Sequence, residues 1–85
     1  MTETIEITGD FMTLTQLLKE TGIIATGGQA KWYLSEFAVY IDGEQDQRRG
    51  RKIYPGSVVE VPAEEAIFQL VSASDAALED AHDPR

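Results

Sequence analysis

Along the first half of the chain the apolar positions change period, and each change predicts an element. Ile5 and Ile7 alternate with Thr4, Glu6 and Thr8, the two-residue period of a half-buried strand, and Gly9-Asp10 ends it. Leu14, Leu17 and Leu18 then fall at i, i+3 and i+4, which puts them on one face of a helix. Thr13 and Gln16 have the spacing of a capping box, in which each side chain satisfies the other residue's backbone amide. Gly22 suits the left-handed position that closes a helix, so the pattern predicts a first helix over residues 14–21. A second capping-box pattern, Thr26-Gly27-Gly28-Gln29, precedes Ala30, Tyr33, Leu34 and Phe37 at i, i+3, i+4 and i+7. That predicts another amphipathic helix of about three turns, with Lys31, Trp32 and Ser35 on its opposite face.

The second half reads mainly as strands. Val39 and Ile41 alternate with Tyr40 and Asp42, and Asp42-Gly43 carries turn chemistry. Residues 44–51 are polar and show no period, so they are expected to form a loop. Lys52-Ile53-Tyr54 fits a short strand ending at Pro55-Gly56, and Tyr40 and Tyr54 both read as sheet residues. Val58-Val59-Glu60-Val61 is the clearest strand, stopped by Pro62. Residues 67–71 fit a last strand or a helical turn, which periodicity does not separate. From Ser72 the composition turns to Ser, Ala, Asp and Glu, as in a disordered acidic tail. The expected organisation is one domain over residues 1–71 and a tail over 72–85. Its order is β-α-α-β-β-β, an α+β class with two short helices packed on a small, mostly antiparallel sheet.

Composition narrows the chemistry. Eighty-five residues allow one domain with a thin core. The absence of cysteine excludes disulfides, zinc-thiolate sites, iron–sulfur clusters and thiol catalysis. The apolar runs fall short of the ~20 residues of a membrane span. The acidic N-terminus lacks the features of a signal peptide, so a cytoplasmic location with no membrane partner is expected. A Ser-His-Asp arrangement would have to take His82 from the acidic tail. Asp42, Glu44 and Asp46 open like a calcium loop, but Gln47 and Ile53 occupy its sixth and twelfth positions. Gly22 and Gly27 have Walker-like spacing, but Gly28 and Gln29 stand where Lys and Ser/Thr are needed. No catalytic residue, metal ligand or cofactor is expected, and the chain reads as a non-enzyme.

The formal net charge of −8 argues at first against nucleic acid. Its distribution reverses the argument. Residues 1–25 carry −3 and residues 60–85 carry −6, while residues 26–59 carry +1. Within that middle segment Arg48-Arg49-Gly50-Arg51-Lys52 places four cations in five positions, and no acid occurs between Asp46 and Glu60. Such a loop offers phosphate contacts, with bidentate geometry from arginine. Solvation, or pairing with Glu44 and Asp46, is the plainer reading of the same cluster. Gly27 and Gly28 at a helix N-terminus expose backbone amides to an anion, and Lys31 lies one turn further in. Trp32 is a candidate for base stacking or for covering a flank of the core.

The hydrophobic spacing around these residues resembles the S4 RNA-binding domain. The resemblance is carried by Leu14-x-x-x-Leu18-x-x-x-Gly22, Ala30-x-x-x-Leu34, Val39-x-Ile41-Asp42-Gly43 and Pro55-Gly56-Ser57-Val58-Val59-Glu60-Val61. More narrowly, the segments 26–34 and 48–56 are similar to small stand-alone S4-like proteins of the YaaA type in bacteria. The resemblance spans residues 14–61 and implies an S4-like (αL-type) fold. It also implies a non-catalytic RNA-binding module that contacts the phosphate backbone of structured RNA, ribosomal RNA or tRNA among them. The positions implied are Gly27, Gly28, Gln29, Lys31, Arg48, Arg49, Arg51 and Lys52, with Trp32 as a stacking candidate. The common S4 pattern has Ser-Arg where this chain has Thr26-Gly27, and a glycine where it has Phe37. The first departure moves weight onto Lys31 and the 48–52 loop. The stand-alone type is often found beside replication and recombination genes. DNA therefore stays open as a partner. The alternative reading, motivated by the −8 charge, is a protein-interaction module in which the same loop meets an acidic protein, the replication and recombination machinery being one setting for it.

Overall fold

The computed structural model describes residues 2–73. His82 and residues 74–85 of the expected acidic tail lie outside the described residues. Strand β1, Thr2–Ile7, is followed by a two-residue strand β2, Met12–Thr13, and helix α1, Leu14–Glu20. Thr13 caps α1 as its spacing predicts: its side chain accepts the Gln16 amide at 3.2 Å, and Gln16 Oε1 accepts the Thr13 amide at 2.9 Å. Thr21 is the C-cap, and Gly22 follows with φ +81°.

Helix α2, Gln29–Glu36, is shorter than its sequence pattern suggests. Only half of its predicted capping box forms. Gln29 Oε1 accepts the amides of Ala25 at 2.6 Å and Thr26 at 3.1 Å, whereas the Gln29 amide bonds the Thr26 carbonyl rather than its hydroxyl. Residues 26–28 therefore make a turn leading into the helix. Ala30, Tyr33 and Leu34 are buried, while Phe37, the expected last position of that face, is the extended C-cap and partly exposed.

Strands β3, Tyr40–Ile41, and β4, Glu44–Gln45, are joined by Asp42 and Gly43 at φ +53° and +87°. Two successive positive φ values make the two-residue hairpin turn whose twist suits antiparallel strands. Strand β5, Lys52–Ile53, pairs with β2 outside the main sheet. Strand β6, Val58–Val61, leads through a 3-10 turn at Pro62–Glu64 into β7, Ala66–Ser72. The alternatives for residues 67–71 thus resolve to strand.

The main sheet has the order β1-β7-β6-β3-β4. Its pairs are antiparallel except β1 with β7, which run parallel from Thr2 opposite Ile67 to Ile7 opposite Ser72. The alternation along β6 and β7 buries Val59, Val61, Phe68 and Leu70. These pack with Ile7, Ile41 and Ile53 against Leu14, Leu17, Leu18 and Leu34 of the helices. The expected α+β arrangement of two short helices on a mostly antiparallel sheet is the one observed.

Candidate nucleic-acid interface

The basic loop is anchored at both ends by its own main chain. The Leu14 amide donates to the Arg51 carbonyl at 2.9 Å, and the Thr15 amide donates to the Arg49 carbonyl at 3.0 Å. The Thr15 hydroxyl donates to that same Arg49 oxygen at 2.8 Å. Two amides of the first turn of α1, which have no partner within the helix, are thus satisfied by the loop. The short β2–β5 pairing, Met12 opposite Ile53 and Thr13 opposite Lys52, continues the attachment.

A second clamp lies inside the loop. Asp46 is a buried charged residue at 7% exposure. Its Oδ1 accepts the Arg48 amide at 2.8 Å and Nε at 3.1 Å, while Oδ2 accepts Arg48 Nη2 at 2.8 Å and Arg51 Nη1 at 2.6 Å. Hydrogen bonds from Arg48 hold its carboxyl well below the usual carboxylate range, against the opposing effect of burial. The pairing with Asp46 weighed from the sequence therefore forms, and it takes up Arg48 and Arg51. Glu44 does not join it; it lies in β4 opposite Ile41.

The cations then divide into two groups. Arg48 and Arg51 are oriented by Asp46, although the Arg48 side chain remains 72% exposed. Arg49 and Lys31 are exposed, and among the described residues their side-chain nitrogens have no hydrogen-bond or ion-pair partner. Lys52 is exposed and sits 4.9 Å from the centroid of the Phe11 ring.

Thr15 also stands beside both halves of the surface. A Cβ placed on Gly27 would lie 3.6 Å from Thr15 Cγ2, so the turn before α2 lies beside the residue that holds Arg49. Gly28, the N-cap of α2, has ordinary helical angles of φ −65° and ψ −20° and makes no side-chain cap. The Gln29 side chain is turned back onto the amides of residues 25 and 26, so its role is to hold the turn. Trp32 stands 59% exposed, and its ring contacts are edge-on with Tyr33 and Phe37. Tyr33 itself is buried, donates to Glu64 at 3.2 Å and has its phenol pushed up to about 12, by burial first and by Glu64 second.

Two parts of this surface are not legible in the sequence. Thr15 organises the loop through a contact 34 residues away that no local pattern announces. Tyr54, expected in the sheet, lies one residue past β5 and is 51% exposed beside Phe11. The strand alternation carried that signal: Ile53 is buried, so its neighbour faces the other way.

Fold and surface together define a small α+β domain with a basic loop braced on the start of its first helix. The sequence model of the S4 domain family matches residues 5–68, and the chain belongs to that family. It is 49% identical over 61 residues to the probable ribosome maturation protein RlbA of Bacillus subtilis (strain 168). That alignment covers 72% of this chain and 86% of the relative. Among the described residues no helix is long and apolar enough to cross a membrane, and no group of three or more His, Asp or Glu is placed to hold a metal ion.

Proposed function

We propose that this protein is a non-catalytic RNA-binding module acting in ribosome maturation, holding the phosphate backbone of structured ribosomal RNA with its basic loop and the turn before α2. The observation that carries this reading is the state of Arg49 and Lys31. Both are exposed cations without a partner among the described residues, on segments that lie to either side of Thr15. A cation left unpaired on a braced backbone costs little to bring to a phosphate, because the loop is already ordered. Arg48 and Arg51, pre-oriented by Asp46, add positive field beside them. Membership of the S4 family and the relative's name as a ribosome maturation protein favour RNA over other polyanions.

The overall charge shapes the mode of binding. A chain of net charge −8 repels a polyanion at long range, so attraction is confined to the basic patch within about one Debye length, ~8 Å at physiological salt. Binding to RNA should therefore be local and dependent on the fold of the RNA. Binding of ribosomal RNA fragments, compared between wild type and the Lys31→Glu/Arg49→Glu variant, tests the proposal. Equal affinity in the two proteins would remove these cations from the interface.

A further inference from the structure

The turn after β5 sets an aromatic ring against the basic loop. Tyr54 opens the turn Tyr54-Pro55-Gly56-Ser57, closed by the Ser57 amide donating to the Tyr54 carbonyl at 3.1 Å. Its ring lies 6.0 Å from that of Phe11, centroid to centroid, at an interplanar angle of 57°. Phe11 is itself 37% exposed, and Lys52 Nζ stands over its ring. The Tyr54 hydroxyl has no hydrogen-bond partner among the described residues. Tyr54 and four loop residues, Arg48, Gly50, Arg51 and Lys52, line one open groove of about 500 Å³. Gly50 leaves its part of the groove clear, since nothing stands within 4 Å of where a Cβ would be.

We infer that Tyr54, backed by Phe11, is a stacking platform for one unpaired nucleobase of the bound RNA, an assignment that rests on the RNA-binding reading above. The groove combines the two chemistries a nucleotide presents: an aromatic face for the base and cations for the flanking phosphates. The face offered is that of Tyr54, because Lys52 stands over Phe11. A base inside a duplex has both faces covered by its neighbours, whereas a bulged or looped base can be splayed out onto a ring. The ligand class is therefore a structured RNA with an unpaired nucleotide beside its stem, and plain duplex is the poorer ligand. The phenol ring serves through its face, so phenylalanine should replace it.

The test uses two RNA stems, one fully paired and one carrying a single bulged fluorescent adenine analogue. Wild type should prefer the bulged stem and quench the analogue. Tyr54→Ala should weaken binding to the bulged stem by about tenfold, leave the paired stem unchanged and abolish the quenching, while Tyr54→Phe keeps wild-type behaviour. Equal loss on both stems, or loss on neither, overturns the platform. If Lys31→Glu/Arg49→Glu loses both stems while Tyr54→Ala loses neither, the phosphate reading stands and the platform falls. If wild type binds neither stem, both fall together.

Discussion

The Thr15 hydroxyl and the Arg49 carbonyl oxygen meet at 2.8 Å across 34 residues of sequence, and this contact sets the direction of the basic loop. The carbonyl of Arg49 is turned inward to the start of α1, where it also takes the Thr15 amide. Its guanidinium is left in solvent. A Cβ added to Gly27 would meet the methyl group of the same threonine at 3.6 Å, so one side chain stands beside both segments of the proposed RNA surface.

Thr15→Val keeps a γ-methyl group and removes the hydroxyl. Loss of this hydrogen bond should cost about 1 kcal/mol. For a domain of this size that lowers Tm by roughly 4–8 °C. Thermal unfolding followed by circular dichroism reads it directly, and an unchanged Tm would show that the amide alone holds the loop.

Asp46 should give stability an acid limb. Its folded-state carboxyl lies below the ordinary value of 3.8, so its contribution is complete above that pH and declines as pH falls below it. Asp46→Asn should be less stable than wild type by about 1–2 kcal/mol at neutral pH, discounted for the exposed end of Arg48. The gap should narrow steadily as pH is lowered below 4. Urea unfolding of both proteins at several pH values checks it, and a gap independent of pH would contradict the assignment.

Gly50→Ala separates folding from binding. Gly50 lacks a positive φ and has open space around it, so alanine should leave stability unchanged or raise it by about 0.4–1 kcal/mol through the unfolded chain. The added methyl group enters the groove beside Tyr54, and affinity for RNA should fall. A variant as stable as wild type that binds RNA equally well would place the ligand outside this groove.

What the sequence made legible was local. The capping box of α1, the Asp42-Gly43 hairpin turn and the alternation of Val58–Val61 each lie within a few residues, and each formed. Strands β2 and β4 went unseen because two residues carry no period, and Glu44-Gln45 is wholly polar. The charge cluster at 48–52 was visible, but not its division into paired and unpaired cations. That division depends on Asp46 being drawn inward, where its amide donates to the Val39 carbonyl at 3.0 Å. The Thr15–Arg49 contact joins segments with no shared pattern, so only the folded chain reveals it.

This division also decides which variant is informative. Reversing Arg48 or Arg51 would strand the buried Asp46 carboxylate beside a like charge, confusing lost binding with lost structure. Lys31 and Arg49 carry no such burden.

The most direct test of the central claim is the salt dependence of RNA binding, measured for wild type beside Lys31→Glu/Arg49→Glu. If three or four phosphates are neutralised, log affinity should fall against log salt with a slope of roughly −2 to −4. The variant should bind more weakly with a slope shallower by about 1–2, at unchanged Tm. An identical slope and affinity in both proteins would contradict the account.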